Sequence, residues 1–164
     1  MVRRVFFSFH YADVTRAMVV RNSWTLRGTK EAGFVDKAEF EKVKRNGDIA
    51  IKNWIDNQLI GTSVTVVLIG KETLDREYVK YEIQESYKRG NAILAVNIGK
   101  IKDFNQMTTT SQSVIKIIGQ KPDGEYLWFD EIIDGQYDYI SDDGYNNLGT
   151  WIDSAAYKDR KSVV

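Results

Sequence analysis

The stretch RRVFFSFHYADV, residues 3–14, decides the fold, because it passes from a run of apolar residues into a polar segment. Its first part, RRVFFSF, is rich in Val and Phe and does not alternate cleanly with polar residues. Continuous apolar runs of this length are typical of strands buried on both faces of a parallel sheet. Further strand candidates are SVTVVLI (63–69), AILAVNI (92–98), the shorter AGFVD (32–36) and YLWFDEII (126–133).

Helical patterns separate these candidate strands. Asp13 and Asp48 are placed to cap the helices that follow them, and Thr73 precedes a third helix. The helical segments are VTRAMVVRNSW (14–24), IAIKNWIDNQLIG (49–61), LDREYVKYEIQESYKRG (74–90) and DDGYNNLGTWIDSAAY (142–157). Strands that alternate with helices predict an α/β domain, in which right-handed crossovers place helices on both faces of a central parallel sheet. Residues 99–125 are more polar and predict an inserted loop with at most one short element.

The composition narrows the possible functions. The chain has 164 residues, the size of one domain, and Lys plus Arg and Asp plus Glu both number 23, so no overall basic field attracts nucleic acid. The absence of cysteine excludes disulfides and thiolate chemistry, and one histidine cannot build a His-rich metal site. No run approaches the roughly 20 apolar residues of a membrane span, and no signal peptide is recognisable. We expect a cytoplasmic protein.

The polar segment SFHYAD, residues 8–13, follows the first strand. Open parallel sheets bind ligands outside the carboxyl ends of their strands, so this segment is the first place to seek a site. Three familiar sites are disfavoured there. A flavin phosphate loop needs a glycine, which SFHYADV lacks, and the GxxxxGK[ST] run of a P-loop is absent from the sequence. A phospho-receiver site needs an aspartate at the end of the third strand, where the sequence reads VLIGKET.

Five blocks of the chain, in order, resemble the TIR-like family that includes the TIR protein of the bacterial anti-phage system Thoeris. They are RRVFFSFHYADV (3–14), VVRNSW (19–24), TSVTVVLIG (62–70), REYVKYEI (76–83) and DDGYNNLGTWI (142–152). The resemblance implies an α/β, flavodoxin-like three-layer domain over residues 1–157, followed by a disordered tail at 158–164. It also implies an enzyme, because the Thoeris members cleave NAD at the nicotinamide–ribosyl bond. Their product, a cyclic ADP-ribose isomer, is a signal that activates a separate effector protein.

The resemblance further implies a catalytic glutamate on the helix after the third strand, a few residues beyond an aromatic residue. In EYVKYEI the matching residues are Glu82 and Tyr78. At about 100° per residue, Glu82 falls at the border of the apolar face of this helix, whereas Glu77 and Glu85 point to solvent. The apolar face comprises Val79, Ile83, Ser86 and Tyr87.

Cleavage of the nicotinamide–ribosyl bond requires few catalytic groups. The nicotinamide leaving group is already cationic in NAD, so no general acid, metal or additional cofactor is required. One carboxylate that faces the oxocarbenium-like transition state suffices. The alternative interpretation of Glu82 is structural: a surface carboxylate that pairs with Arg76 or Lys80.

Residues near the first strand are further candidates for binding NAD. Ser8 can hydrogen-bond a ribose or phosphate oxygen, and His10 can donate to a phosphate through one ring nitrogen. Phe9 or Tyr11 can stack on a base. Each residue also has a structural interpretation: a satisfied core hydroxyl for Ser8, core packing for Phe9, and the end of a strand for His10.

A second group of candidates lies in VVRNSW, residues 19–24. Arg21 can hold a pyrophosphate bidentately, Trp24 can stack on adenine, and Asn22 lies between them. The structural interpretations, a surface ion pair and a packing aromatic, are at least as strong. The block DDGYNNLGTWI receives no chemical role, and Trp151 and Ile152 within it are predicted to dock the last helix.

A different function is also compatible with the resemblance: a non-catalytic TIR module that self-associates or binds a nucleotide without turning it over. Residues 36–48 occupy the place of the loop that many TIR domains use in assembly, but they lack the Arg-Asp…Pro-Gly pattern of animal TIR domains. We expect NAD as the ligand, an effector reached through a nucleotide messenger, and self-assembly. We expect no nucleic-acid or membrane partner.

Overall fold

Five parallel strands form the central sheet of the computed structural model, which describes residues 4–25, 30–32 and 43–162. The strands are β1 (Arg4–Phe9), β2 (Lys30–Ala32), β3 (Val64–Ile69), β4 (Ala92–Asn97) and β7 (Gly135–Asp138). A separate antiparallel pair comprises β5 (Ile117–Gln120) and β6 (Tyr126–Trp128). The helices are α1 (Val14–Thr25), α2 (Asp48–Leu59), α3 (Glu77–Lys88), α4 (Phe129–Ile132) and α5 (Gly144–Ser162).

The order of the strands confirms the predicted flavodoxin-like fold. The sheet runs β2-β1-β3-β4-β7, and every neighbouring pair is parallel. The chain moves outward from β1 to β2 and then returns past β1 to β3, so the order reverses between β1 and β3. Doubly wound sheets bind ligands at this switch point, outside the carboxyl ends of the strands. A cleft is therefore expected beside the ends of β1 and β3.

Helices cover both faces of the sheet, as predicted. On one face, Phe7 packs with residues of α1 and α5, including Trp24 and Ile152. On the other face, Phe6 packs with Ile55 of α2, and α3 covers β3 and β4. Successive side chains of a strand point to opposite faces, so Ser8 lies on the same face as Phe6. We call the two sides the α1/α5 face and the α2/α3 face.

The three longest apolar runs form β1, β3 and β4, as predicted. The prediction for AGFVD overlaps the structure only at Ala32, the end of β2, and residues 33–36 lie outside the described part of the chain. The prediction of one strand over 126–133 is wrong, because β6 ends at Trp128 and pairs only with β5. The fifth strand of the main sheet is Gly135–Asp138, an edge strand whose residues are only partly buried. Such a strand needs no continuous apolar run.

Details at the helix ends also differ from the predictions. The cap of α2 is Gly47 at φ 92°, so Asp48 is the first helical residue rather than the cap. Before α3, Thr73–Asp75 form a short 3-10 turn, and Thr73 Oγ1 accepts a hydrogen bond from the Gly70 amide. Helix α5 continues to Ser162, so the tail predicted at 158–164 overlaps the end of this helix. In the described ranges no helix has the length and apolar character that crossing a membrane requires.

The region predicted as an inserted loop carries β5 and, before it, an irregular segment that is tied to α1. Arg16, which is buried, donates from Nε to the carbonyl of Ile101 (2.8 Å) and from Nη2 to that of Met107 (2.9 Å). Its Nη1 also pairs with Asp13 Oδ1 at 3.1 Å. A buried guanidinium needs several acceptors, and these hold the segment after β4 against the start of α1.

Candidate active site

Glu82 projects from α3 into the region beside the end of β1. Its residue is partly exposed, yet burial of the carboxyl raises the pKa of Glu82 to about 8, and the neighbouring Ser8 hydroxyl opposes that rise. Ser8 is fully buried, and its Oγ has no partner that meets hydrogen-bond geometry. A desolvated carboxyl and an unpaired buried hydroxyl therefore lie together at the switch point, an arrangement that stability alone does not favour.

The described surroundings of Glu82 contain no cation paired with its carboxyl. Among the described residues, no Lys or Arg forms an ion pair with Glu82, and Arg76 pairs instead with Glu72 at 2.8 Å. The other glutamates of α3 behave as surface residues, because Glu77 is exposed and Glu85 pairs with Lys88 at 3.3 Å. Glu82 differs from Glu77 and Glu85 because its carboxyl is desolvated and forms no ion pair among the described residues.

The packing of α3 explains the position of Glu82. Val79, Ile83 and Ser86 are buried against the sheet, as the helical pattern predicts, whereas Tyr87 is 48% exposed and does not belong to the buried face. Glu82 directly precedes Ile83, so it lies at the margin of the buried face. The prediction that Glu82 borders the core is confirmed, although one member of the predicted apolar face is wrong.

Two tyrosines connect α3 with α2. The Tyr81 hydroxyl donates to Asp56 Oδ1 at 2.9 Å; burial and this acceptor raise the pKa of Tyr81 to about 12. Tyr78 packs against the apolar cluster that Phe6 forms with α2. Its pKa is raised, first by burial and then by the Asp48 carboxylate. Tyr78 precedes Glu82 by one helical turn, so its ring lies on the α2 side of the candidate site.

His10 follows β1 at the carboxyl edge of the sheet and is partly buried. Burial, followed by the positive charge of Arg76, lowers its pKa, while Asp13 and Glu72 act in the opposite direction. The imidazole is consequently neutral at pH 7 and retains one N–H donor. Tyr11 comes directly after His10 in a 3-10 turn at the same edge.

Three predicted site residues are not brought together with Glu82. Phe9 packs against the core of the α1/α5 face, because it follows Ser8 in the strand and points to the other side. Arg21 and Asn22 lie on α1, which covers that same opposite face. The sequence does not reveal this separation, since it depends on which helices share a face.

Two residues near the switch point were missed. Gly70, at the end of β3, lies so close to Asp13 that a Cβ on it would be 2.3 Å from the Asp13 carboxylate oxygen. Arg16 completes this contact through its ion pair with Asp13. The available signal was an arginine directly followed by the apolar run AMVV, residues 17–20. Among the described residues, no group of three or more His, Asp or Glu side chains is arranged to hold a metal ion.

The fold and this site define a TIR-like domain. Residues 6–103 match the family described as "Thoeris protein ThsB, TIR-like domain", and the chain belongs to that family. A protein of Bacillus cereus (strain MSX-D12) named "Putative cyclic ADP-D-ribose synthase ThsB1" is 33% identical over 191 residues, an alignment that covers 93% of this chain and 100% of that protein. The family match runs from within β1 to beyond β4 and includes Ser8, His10 and Glu82.

Proposed function

We propose that this chain is a TIR enzyme of anti-phage defence that cleaves NAD at the nicotinamide–ribosyl bond and forms a cyclic ADP-ribose isomer. The observation that carries the proposal is the desolvated carboxyl of Glu82 beside the buried hydroxyl of Ser8 at the switch point. The name of the Bacillus cereus relative, a cyclic ADP-D-ribose synthase, supports the same reaction.

The charge of NAD complements this site. With no cation paired to it among the described residues, the Glu82 carboxyl holds its proton to about pH 8. The nicotinamide ring carries a positive charge, and an opposite charge close to a carboxyl favours the ionised form. The bound substrate thus promotes formation of the carboxylate. As the glycosidic bond breaks, positive charge moves onto the ribosyl group, and the Glu82 carboxylate stabilises it.

Neighbouring groups orient the rest of the substrate. The Ser8 hydroxyl binds a ribose hydroxyl, and the neutral His10 imidazole donates to a phosphate oxygen. Arg76, whose charge acts on His10, supplies a cation at the same edge. Cyclisation requires that the substrate itself, and not water, captures the ribosyl cation, so the occupied cleft must exclude water.

The proposal includes the partners implied by this reaction. NAD is the substrate and no further cofactor takes part. The cyclic product acts as a messenger to a separate effector protein in the bacterial cytoplasm. Self-assembly of the TIR domain is part of the proposal, because a neighbouring subunit offers one means of closing the cleft to water.

The decisive experiment compares wild type with Glu82→Gln, using Glu85→Gln as the control on the same helix. Incubation with NAD is followed by chromatography of released nicotinamide and mass analysis of the nucleotide product. We expect Glu82→Gln to lower nicotinamide release by about 100-fold or more, as for loss of a group that stabilises transition-state charge. Glu85→Gln should retain activity. Unchanged release by Glu82→Gln would overturn the mechanism, and NAD binding without turnover by wild type would favour the non-catalytic module.

A further inference from the structure

A chain of buried hydroxyl groups runs beneath α3 and ends on the backbone of the candidate catalytic residue. Ser86 Oγ donates to the main-chain carbonyl of Glu82 at 2.7 Å, and Thr65 Oγ1 donates to Ser86 Oγ at 2.7 Å. Asn91 Nδ2 in turn donates to Thr65 Oγ1 at 3.2 Å and to Thr62 Oγ1 at 3.0 Å. Each hydroxyl both accepts and donates, so the series is continuous from the sheet to Glu82.

This polar chain lies where apolar residues would be expected. Thr65 and Ser86 have no exposed surface, and their neighbours on the sheet and on α3 include Val67 and Ile83. Burial of two hydroxyl groups carries a desolvation penalty, and their hydrogen bonds compensate for that penalty without adding much net stability. Two apolar residues of similar shape would fill the same space without that penalty, so the pair gives the fold no evident advantage in stability.

The geometric effect of the pair is specific. Apolar packing of α3 through Val79 and Ile83 permits small rotations, whereas a directional hydrogen bond from the sheet to Ser86 does not. A rotation of about 20° would move a carboxyl that lies about 6 Å from the helix axis by about 2 Å. A displacement near 1 Å at reacting groups can lower a rate by about 100-fold. The position of Glu82 relative to Ser8 is therefore sensitive to this contact.

We infer that Thr65 and Ser86 are positioning residues that fix the rotation of α3 and so hold the Glu82 carboxyl beside Ser8. They do not touch the substrate; they act through the backbone of α3. The inference rests on the proposed function of Glu82, but it concerns the placement of that carboxyl and can be measured separately from turnover.

The test uses Thr65→Val and Ser86→Ala, with Thr65→Ser as the variant that keeps the hydroxyl. We expect each deletion to lower kcat for NAD by about 10-fold and to change KM by less than about twofold, because geometry at the reacting atoms changes and the binding edge does not. Thr65→Ser should stay within about twofold of wild type in kcat. The double variant should lose little more than either single variant, since both break one chain.

A matched control lies on the opposite face of the sheet. Ser23 Oγ donates to the carbonyl of Val20 and bonds to the Tyr139 hydroxyl at 2.7 Å, so it too is a buried helical serine tied to a second hydroxyl. Ser23→Ala should lower the melting temperature to a similar extent as Ser86→Ala while leaving kcat unchanged. An equal loss of kcat in Ser23→Ala, or wild-type kcat in both deletions, would overturn the inference.

A second measurement reads Glu82 without turnover. The carboxyl is titrated by carbon-13 NMR in wild type and in each deletion, and Glu82→Gln identifies its signal. We expect the midpoint to move by at least about 0.5 pH unit in Thr65→Val and Ser86→Ala and to stay fixed in Ser23→Ala. Unmoved midpoints in the deletions would overturn the inference. If Glu82→Gln retains nicotinamide release, the proposed function fails, and this titration still decides whether the two hydroxyls place the carboxyl.

Discussion

The two faces of the sheet are built from the same layers but contain different chemistry. On the α1/α5 face, Phe7 and Trp24 pack edge to face with ring centroids 6.4 Å apart, and Tyr137 stacks on Trp151 at 4.1 Å. The α2/α3 face instead encloses Ser8 and the Glu82 carboxyl within its packing. The buried Ser23 hydroxyl of the first face is hydrogen-bonded to Tyr139, whereas the buried Ser8 hydroxyl of the second face has no partner that meets hydrogen-bond geometry. We conclude that stability and chemistry are divided between the two sides of one sheet.

This division explains the most distinctive block of the sequence. In DDGYNNLGTWI, a Cβ on Gly144 would lie 2.2 Å from the ring of Tyr139, so glycine permits close packing there. Trp151 stacks on Tyr137, and Ile152 is fully buried. The prediction that Trp151 and Ile152 dock the last helix is confirmed. The unusual block thus serves packing on the α1/α5 face, and the less distinctive EYVKYEI carries the candidate site.

The largest expected effect tests the α1/α5 face. Phe7→Ala removes a fully buried ring that contacts Trp24, and we expect a loss of about 3–5 kcal/mol in the free energy of unfolding. Urea denaturation followed by tryptophan fluorescence measures the change. Phe104→Ala is the control, because Phe104 is 85% exposed and should change the stability by less than about 0.5 kcal/mol. Equal losses in the two variants would contradict the assignment of this face to stability.

The next effect concerns activity on the α2/α3 face. If the Glu82 carboxylate is the active form, kcat/KM for NAD increases as the pH rises through the pKa of about 8 in the free enzyme. Between pH 6 and pH 8 the ionised fraction, and with it kcat/KM, should increase by about 50-fold. Initial rates of nicotinamide release at low NAD concentration give the profile. A flat profile, or one that falls with pH, would contradict the role of this group.

The third effect is a smaller change in the free energy of unfolding, caused by Glu82→Gln. It has the opposite sign to the effect of Phe7→Ala. The raised pKa of Glu82 means that the folded state binds more protons than the unfolded state between about pH 4.5 and 8, so stability falls as the pH rises through that range. Glu82→Gln should therefore stabilise the protein by about 1–2 kcal/mol at pH 8.5 and by much less at pH 5. The value at pH 8.5 is smaller than the full pKa shift would give, because Glu82 is partly exposed and solvent screens its charge.

Glu85→Gln provides the comparison for that measurement, since Glu85 takes part in an ion pair at the surface. Its unfolding midpoint in urea should stay within about 0.5 kcal/mol of wild type at both pH values. Destabilisation of Glu82→Gln at pH 8.5 would show that the carboxylate is paired in the folded protein and would remove the contrast between the faces.

The smallest effect tests the contact between α2 and α3. Tyr81→Phe removes the hydrogen bond to Asp56 and should lower the free energy of unfolding by about 0.5–1.5 kcal/mol. In an absorbance titration, the tyrosine that ionises near pH 12 in wild type should disappear from the variant. Tyr87→Phe is the control, because Tyr87 is about half exposed. Retention of the late-titrating tyrosine in Tyr81→Phe would assign that ionisation to another residue.

Part of the fold could be predicted because it depends on local patterns. The central strands β3 and β4 are buried on both faces, so their apolar runs are continuous. The edge strand β7 and the β5–β6 pair have little such signal, since each is only partly covered. The sequence did not predict the Gly47 cap for a related reason. Its positive φ is a property of the backbone, and the adjacent Asp48 is a residue type that commonly caps helices, so the sequence favoured Asp48 instead.

The candidate site shows the same limit. The helical period placed Glu82 at the margin of a buried face, and the strand period required Ser8 and Phe9 to point in opposite directions. Which of those two shares a side with Glu82 follows from the strand order. Right-handed crossovers in opposite directions from the β1/β3 switch point place α1 on one face and α3 on the other.

The sequence by itself determined the α/β class, the three main strands and the helix that carries Glu82, because each rests on a periodicity within a few consecutive turns or residues. Only the tertiary structure decided that Ser8 stands beside Glu82, that Arg21 and Asn22 do not, and that Ser86 is linked to Thr65. These pairings join residues far apart in the chain, and their distances are set by strand order and by packing between layers, which no local pattern contains.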